Sequence, residues 1–324
     1  MSVSILEKIG NTPLIPLRRM LPEPGKVIYA KAEMLNPGGS IKDRLAKWLI
    51  EKAEQQGELK PGGIVIEVTS GNTGISVAWI CAAKGYQAKL VMSDKNSREK
   101  QNMMKLFGAE LILTPHTAKP DDPTSNYKTA ERLAAETAGA LYLDQYNNPE
   151  NIQCHYDTTG PEIWDQTDGN VDCFIAGAGT GGTVSGVAKF LKEKNPSIAV
   201  VAVDSEGSVF KPYFERRRII APRHYEVEGI GSDKLVAAMD FRVVDRFEAV
   251  SDEEAFAVTR ELAAKEGLFC GGSSGAIIAA ARRILAEDPG IRCPVVILPD
   301  SGNRYLSKLY NDNWMRDMGY TNWA

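Results

Sequence analysis

The sequence predicts an α/β protein with a mostly parallel sheet. Short apolar runs rich in β-branched residues alternate along the chain with segments whose apolar residues recur at helical spacing. Several of the runs lead into a polar or glycine-rich turn and then directly into a helical pattern, as expected of parallel strands joined by helices. The predicted strands are 64–68, 89–92, 111–113, 141–143, 174–176, 200–203 and 295–298.

The first long predicted helix begins near Lys42, after the turn-forming sequence Asn-Pro-Gly-Gly-Ser at 36–40. Leu45, Leu49 and Ala53 give this helix an apolar face. Glycines before a helix start allow the backbone to approach a ligand closely. An isolated lysine at such a junction is usually a solvated surface residue, but it can also be a nucleophile at the rim of a cavity. The motifs that follow favour the nucleophile.

The strand predicted at 64–68 is followed by the turn Thr69-Ser70-Gly71-Asn72-Thr73-Gly74 and a helical pattern. Free N–H groups and the positive end of the helix dipole at such a turn favour a carboxylate or a phosphate. The hydroxyls of Thr69, Ser70 and Thr73 add donors, although serine and threonine are also ordinary helix caps. Anion binding and capping are therefore both open for this turn.

A second strand–turn–helix unit contains Gly177-Ala178-Gly179-Thr180-Gly181-Gly182-Thr183, directly after the strand at 174–176. A glycine-rich loop in this position is typical of phosphate binding. The loop also matches the G-x-G-x-x-G dinucleotide fingerprint, and Asp204 ends the next strand at the distance expected of a ribose-binding acid. An NAD-dependent dehydrogenase is therefore an alternative, but it leaves Lys42 and the turn at 69–74 without a task.

A third motif, Cys270-Gly271-Gly272-Ser273-Ser274-Gly275, precedes an alanine-rich helical stretch at 276–285. Ser273 is either the cap of that helix or a hydrogen-bonding partner for a ring nitrogen.

These four segments, in this order, resemble the β family of pyridoxal-phosphate enzymes, also called fold type II, and within it the cysteine synthase and cystathionine β-synthase group. The resemblance implies a tryptophan synthase β-like fold with two lobes, each a mostly parallel sheet flanked by helices. It implies one catalytic unit over 1–324, with a smaller lobe at about 44–145, a larger lobe from 1–43 and 146–324, and no haem or regulatory domain. Further motifs that match the family are Gly10-Asn11-Thr12-Pro13-Leu14, Asp144-Gln145-Tyr146, Asn148-Pro149, the run 155–162, and Leu298-Pro299-Asp300-Ser301.

The resemblance implies pyridoxal 5′-phosphate as the cofactor and Lys42 as the catalytic residue that forms the Schiff base. Asn72 would bind the 3′-oxygen of the ring and Ser273 would face the pyridine nitrogen. A neutral serine there leaves the nitrogen unprotonated, which favours loss of a β-substituent over transamination. The residues implied to hold the phosphate are Gly179, Thr180, Gly181, Gly182 and Thr183. The residues expected to bind the substrate are Thr69, Ser70, Asn72, Thr73, Gln145, Tyr156 and Gly229.

The implied reaction is β-replacement on serine or an activated serine through an aminoacrylate intermediate. The runs 225–233 and 313–315 look more like cystathionine β-synthase, with homocysteine as nucleophile, whereas 304–307 is closer to cysteine synthase, which uses O-acetylserine and sulfide. We expect the former, with cysteine synthase as the alternative and a 2,3-diaminopropionate-type synthase as a minor one. A dehydrogenase and a non-catalytic binding protein are the alternatives from other classes.

Composition limits the partners. A formal charge of −4 argues against nucleic acid, and no apolar run in the 324 residues approaches the roughly twenty needed to span a membrane. The absence of a charged-then-apolar leader predicts a cytoplasmic protein. Five scattered cysteines suggest reduced thiols, and three dispersed histidines predict no metal site. The partners expected are small amino-acid substrates and, from the resemblance, a second copy in a homodimer.

Overall fold

The structure is a computed structural model that describes residues 4–21, 26–119 and 121–323. The described residues form ten strands and eleven α-helices. The strands are β1 (Leu14–Leu17), β2 (Ile28–Ala32), β3 (Ile64–Val68), β4 (Gln87–Ser93), β5 (Glu110–Thr114), β6 (Leu141–Tyr142), β7 (Cys173–Gly177), β8 (Ala199–Ser205), β9 (Arg246–Val250) and β10 (Pro294–Leu298). The helices are α1 (Lys42–Gln56), α2 (Asn72–Lys84), α3 (Arg98–Leu106), α4 (Asn126–Glu136), α5 (Glu150–Asp157), α6 (Thr159–Gln166), α7 (Gly182–Lys194), α8 (Phe210–Arg216), α9 (Asp252–Glu266), α10 (Gly272–Glu287) and α11 (Asp312–Asp317).

The chain divides into two compact units, each with its own sheet. Unit 1 comprises Met1–Ile9 and Asn36–Glu150, and unit 2 comprises Gly10–Leu35 and Asn151–Ala324. The lobe limits expected from the sequence remain a prediction, and the units are described separately below. Within the described ranges, no helix is both long and apolar enough to cross a membrane.

Unit 1 contains a four-stranded parallel sheet in the order β5-β4-β3-β6 over its described residues. Its core includes Ile66 and Val68 of β3, Val91 of β4 and Ala130 of α4. Parallel neighbours end at the same edge of a sheet. The turn that follows β3 and the segment that follows β6 therefore emerge side by side.

Unit 2 contains a sheet in the order β1-β2-β10-β7-β8-β9, in which the described strands are parallel except β1 at one edge. Helix α10 is apolar over most of its surface and is buried against α9 and the sheet, as expected of a helix rich in alanine and isoleucine. The carboxyl end of β7 leads into the glycine loop, and α7 begins on the other side of that loop.

The predicted α/β fold with mostly parallel sheets is confirmed, and each strand expected from the sequence is present within one or two residues of its limits. Strands β1, β2 and β9 were not expected. In β2 the alternation is broken by Lys31, whose buried ammonium donates to Glu162 at 2.6 Å and to the Thr12 carbonyl at 2.7 Å. A lysine satisfied by residues far along the chain gives no local strand signal.

Candidate active site

In unit 1, Lys42 is the first residue of α1, and its neighbour Asp43 fixes that end of the helix. The buried carboxylate of Asp43 accepts hydrogen bonds from the backbone N–H of Gly38 at 2.6 Å, the hydroxyl of Ser76 at 2.6 Å and the indole of Trp79 at 2.9 Å. Two of these donors belong to α2. The position of half-buried Lys42 is therefore set by a charge-assisted network between two helices.

The turn between β3 and α2 is capped by Thr69. Its hydroxyl oxygen accepts the backbone N–H groups of Gly71 at 2.9 Å and of Gly74 at 3.0 Å. Gly71, at the N-cap position, has a φ of 150°, a conformation that glycine adopts readily, and it provides no side-chain cap. Capping thus accounts for Thr69, whereas exposed Ser70 and half-buried Asn72 lie where the helix dipole meets solvent.

Gln145, which follows β6, is held against this turn. The hydroxyl of Thr73 donates to Oε1 of Gln145 at 2.7 Å, and the Gln145 amide donates to the carbonyl of Val68 at 2.9 Å. The backbone N–H of Gln145 donates to a carboxylate oxygen of Glu67 at 3.3 Å. The structure therefore brings Thr73 and Gln145 together beside the turn that Thr69 caps, and the substrate contact expected of these residues remains a prediction.

Glu67 is a buried acid that the sequence analysis missed. Burial raises its pKa well above the usual range, and the nearby carboxylate of Asp144 adds to this. The backbone N–H groups of Gln145 and Val68 and the charge of Lys42 act in the opposite direction. Glu67 is the one charged residue of β3, which is otherwise apolar, so a charge within a predicted buried strand was the signal in the sequence.

Lys100 is a second residue that the sequence analysis missed. It lies on α3 with only 2% of its surface exposed, and its side chain contacts Gly71, where an added Cβ would be 3.1 Å from Nζ. Met104, one helical turn later, is buried on the same face. Most residues near Lys100 are charged or polar, as on the solvent-exposed face of a helix. The four-residue spacing between Lys100 and Met104 was the available sign that Lys100 lies on the buried face.

In unit 2, the glycine loop is a tight passage between β7 and α7. A Cβ on Gly179 would overlap the carbonyl oxygen of Gly229, and Gly181 has a φ of 87°. Helix α7 begins at Gly182 without a side-chain cap from the preceding residue. Its first N–H groups and the hydroxyls of Thr180 and Thr183 form a donor set suited to a phosphate.

Ser273 lies near this loop because Gly229 is close to both. The Gly229 carbonyl approaches Gly179, and a Cβ added at Gly229 would be 3.8 Å from Oγ of Ser273. Ser273 is the second residue of α10, and the N-cap position belongs to Gly271, so the capping alternative is wrong. Its side chain is buried, and within the described part of the chain its hydroxyl makes no hydrogen bond. A buried, unbonded hydroxyl is free to pair with a ligand atom.

A family model described as pyridoxal-phosphate dependent enzyme matches residues 5–300. The chain belongs to this family. It is 46% identical to the cystathionine β-synthase of Rattus norvegicus over 98% of this chain and 56% of the relative, and 44% identical to that of Apis mellifera over 98% and 63%. It is 41% identical to the O-acetylserine dependent cystathionine β-synthase of Bacillus subtilis over 94% of this chain and 96% of the relative. The chain thus spans roughly 60% of the two animal relatives.

The residues present fit the cofactor of a pyridoxal-phosphate-dependent enzyme. Unit 2 provides a loop that only glycine backbone can form at Gly179, with helix N–H groups beside it, and the unbonded hydroxyl of Ser273. Unit 1 provides the amine of Lys42 at a fixed helix start. Pyridoxal phosphate carries a phosphate, a ring nitrogen and an aldehyde, and these residues are of the chemical types that pair with such groups. The predicted family, cofactor and enzymatic character are therefore confirmed.

The dehydrogenase alternative is not supported, because the family is pyridoxal-phosphate dependent. Asp204, proposed in that alternative as the ribose-binding acid, is fully buried and accepts the backbone N–H groups of Ser205 at 3.0 Å and Lys211 at 2.9 Å. Burial raises the pKa of Asp204 to about 6, although the hydrogen bonds from Ser208 and from these backbone N–H groups lower it. Asp204 therefore links the end of β8 to the start of α8.

Tyr156 has contacts away from the glycine loop. Its hydroxyl donates to Glu193 at 2.5 Å, and its ring packs edge-on against Phe190, about two helical turns beyond Gly182. The substrate contact expected of Tyr156 remains a prediction. Gly229, also expected to bind substrate, lies between the loop and Ser273 in unit 2.

Proposed function

We propose that this pyridoxal-phosphate-dependent enzyme catalyses β-replacement on serine or an activated serine, with homocysteine as the nucleophile, as a cystathionine β-synthase. The observation that carries the reaction class is the neutral, unbonded hydroxyl of Ser273 beside the glycine loop. The choice of nucleophile rests on the relatives named cystathionine β-synthase, including one of similar length in Bacillus subtilis.

In this proposal the cofactor is held through its aldehyde, its ring and its phosphate. Lys42 binds the aldehyde through Nζ, Asn72 binds the ring oxygen, and Ser273 pairs with the ring nitrogen. The residues proposed to hold the phosphate are Gly179, Thr180, Gly181, Gly182 and Thr183. When bound, the cofactor supplies an electron sink for the pair left at the substrate Cα.

Lys42 is also the proposed base. Its Nζ would accept the proton that the substrate Cα loses. The network around Asp43 supports this role, because three hydrogen bonds fix the helix start that carries Lys42. Placing a base to within a fraction of an ångström is what such supporting contacts achieve.

The proposed site for the substrate carboxylate is the turn before α2. Ser70, Asn72 and Thr73 lie at the positive end of that helix, and Gln145 is fixed beside them by its bonds to Thr73 and Val68. The carboxylate would be oriented so that the Cα–H bond lies across the cofactor ring. Thr69 supports this site indirectly, because its hydroxyl oxygen already holds two N–H groups of the turn.

Mass spectrometry of products identifies the substrates. Serine, O-acetylserine and O-phosphoserine are each offered with homocysteine, sulfide or ammonia. We expect cystathionine as the main product, with O-acetylserine accepted, as the name of the Bacillus subtilis relative suggests. Cysteine from sulfide with no cystathionine would establish the cysteine synthase alternative, and 2,3-diaminopropionate from ammonia would establish the minor one.

Borohydride trapping tests Lys42. Reduction of the cofactor-bound protein should fix the cofactor to the peptide that contains Lys42. Lys42→Ala should lose this label and turnover, whereas Lys47→Ala, a half-buried lysine on the same helix, should keep both. A label that persists in Lys42→Ala would contradict the assignment.

We also propose a cytoplasmic location and a homodimer. The family resemblance and the five free cysteines support these proposals. Sedimentation velocity at several concentrations tests the homodimer, with a single species of about twice the chain mass of 35.4 kDa expected. Fractionation of the producing cells tests the location.

A further inference from the structure

We propose that Glu226, Glu228 and Lys308 in unit 2 bind the amino-acid end of the thiol nucleophile. The Lys308 ammonium binds the carboxylate of that nucleophile, and the Glu228 carboxylate, with Glu226 beside it, binds its ammonium. This inference rests on the proposed function and deepens it, because it names the groups that select homocysteine over sulfide.

The three side chains form one charged cluster. Nζ of Lys308 is 2.8 Å from Oε1 of Glu228 and 3.9 Å from Oε2 of Glu226. Between 15% and 22% of each side chain is exposed, so the cluster is largely withdrawn from water but still reaches the surface. Carboxylates beside an ammonium match the two charged groups of an α-amino acid, each with an opposite partner.

The cluster lies close to the glycine loop because Glu228 directly precedes Gly229. The carbonyl oxygen of Gly229 is so near Gly179 that a Cβ there would overlap it. On its other side, Gly229 approaches Ser273, and Gly229 itself is exposed. The charged cluster is therefore one residue away from backbone that lies between the glycine loop and Ser273.

The segment 226–231 is anchored on both sides of Glu228. The backbone N–H of Glu226 donates to the carboxylate of Asp252 at 2.8 Å. The backbone N–H of Gly231 donates to the carbonyl of Ala178, within the glycine loop, at 2.8 Å. A carboxylate on an anchored segment needs little further ordering when a ligand binds.

Lys308 follows a buried turn. Its backbone N–H donates to the carbonyl of Tyr305 at 3.1 Å. Tyr305 is buried, and its hydroxyl donates to the carboxylate of Asp300 at 2.7 Å. The ammonium of Lys308 is thus carried by a fixed backbone, as the carboxylate of Glu228 is.

Stability gives little reason for an ion pair at this depth. Withdrawing two charges from water costs about as much as their mutual attraction returns. Recognition gives a stronger reason, because homocysteine carries an ammonium and a carboxylate on the same carbon and sulfide carries neither. A site that pairs with both groups gains affinity for homocysteine that sulfide cannot share.

Truncated thiols test each charge of the nucleophile on the cofactor-bound parent protein. The thiol 3-aminopropanethiol lacks the carboxylate of homocysteine, and 4-mercaptobutanoate lacks its ammonium. Mass spectrometry measures thioether formation from each thiol and the amino-acid substrate that the parent accepts. We expect the KM of both truncated thiols to be about ten- to a hundredfold above that of homocysteine. Equal KM values for the three thiols would overturn the inference.

Variants assign each charge to its residue. We expect Lys308→Met to raise the KM about ten- to a hundredfold for homocysteine and 4-mercaptobutanoate, and about threefold or less for 3-aminopropanethiol. Glu228→Gln should show the reverse pattern, sparing 4-mercaptobutanoate. A purely structural ion pair would change the KM of all three thiols alike, and that result would overturn the inference.

Lys192→Met is the matched control. Lys192 pairs with Asp245 at 2.8 Å, and 23% of its side chain is exposed, close to the value for Lys308. It lies ten residues after Gly182 on α7, about 15 Å along the helix from the glycine loop. The KM of each thiol should be unchanged in this variant.

The outcomes separate this inference from the proposed function. A cofactor-bound parent that forms no thioether with any of the thiols would overturn the proposed function. Thioethers formed with equal KM from homocysteine and the truncated thiols would overturn the inference alone. If a variant does not fold, the truncated thiols on the parent protein decide.

Discussion

At the scale of single residues, most polar groups of the candidate site have their direction fixed by a buried partner. The Thr73 hydroxyl is held by Gln145, and the Asp43 carboxylate is held by donors that include Trp79. Ser273 differs, because its buried hydroxyl has no hydrogen-bonding partner among the described residues. Polar groups without a partner in the protein are the ones available to a ligand.

Ser273 should control the reaction more than the retention of the cofactor. We expect Ser273→Ala to slow β-replacement about two- to tenfold, the value of one neutral hydrogen bond, while the cofactor stays bound. Ser273→Asp should protonate the ring nitrogen and raise the share of keto-acid product. Product ratios and stopped-flow rates measure both effects, and Ser274→Ala, the buried neighbour, is the control. Rates equal to the parent in both variants would exclude the ring contact.

Glu67 should make the stability of the protein depend on pH. Because burial raises its folded-state pKa above the ordinary 4.5, the folded protein holds a proton that the unfolded chain releases as pH rises past that value. The stability from this group is fully present below about pH 4.5 and is lost as pH rises toward the folded-state pKa. Glu67→Gln removes this pH-dependent loss of stability. The glutamine amide has one oxygen instead of two, so one backbone N–H group loses its acceptor.

We therefore expect Glu67→Gln to gain stability relative to the parent by about 1 kcal/mol or more between pH 5 and pH 8, since each unit of pKa shift corresponds to roughly 1.4 kcal/mol. Urea unfolding at the two pH values measures the difference. Glu58→Gln, at an exposed glutamate, should follow the parent. Parallel pH profiles for the parent and Glu67→Gln would show that Glu67 is ionised in the folded protein.

At the scale of elements, the start of α2 in unit 1 and the start of α7 in unit 2 are each supported by a helix packed beside them. Helix α2 begins at a turn that α3 supports from the side, through Lys100 against Gly71. Helix α7 begins at a loop that α5 supports through Asn151 and His155. In both cases, a second helix contributes side chains that the strand–turn–helix motif does not contain.

Lys100 should contribute to substrate binding. Its buried ammonium adds positive charge behind a turn that is proposed to hold a carboxylate. We expect Lys100→Met to raise the KM of the amino-acid substrate about tenfold or more without changing the cofactor spectrum. Lys105→Met, on the exposed face of the same helix, is the matched control. An unchanged KM with a lower melting temperature would assign Lys100 a purely structural role.

At the scale of the whole molecule, the five cysteines are free, and four of them are buried. Burial raises the pKa of Cys81, Cys173 and Cys270 to about 12, and that of half-buried Cys293 to about 11. Thiols react as thiolates, so all four are poorly ionised at neutral pH, and Cys81, Cys173 and Cys270 are also inaccessible.

A thiol-reactive dye should therefore report on global unfolding. We expect slow reaction of Cys293 alone in the native protein and reaction of all five thiols in urea. Cys293→Ser should abolish the native reaction and leave four thiols in urea. Fast native labelling of Cys81 or Cys173, located by peptide mapping, would reveal local opening of the core.

The fold class and the family could be predicted from the sequence because their signals are local. A buried parallel strand such as Ile64–Val68 is a continuous apolar run, and its turn and helix follow within a few residues. The glycine loop, Lys42 and Ser273 were found in the same way, as motifs within strand–turn–helix units.

Tertiary structure alone decided which distant groups these motifs meet. Thr73 is paired with Gln145, 72 residues away, because β3 and β6 are parallel neighbours. His155 meets Thr183 because the glycines of α7 admit α5, and nothing near His155 in the sequence encodes that contact. A hydrogen bond between distant segments depends on how the elements pack, whereas a turn depends on adjacent residues. The sequence therefore determined the type of site, and the packing of the chain determined where its protons and charges are held.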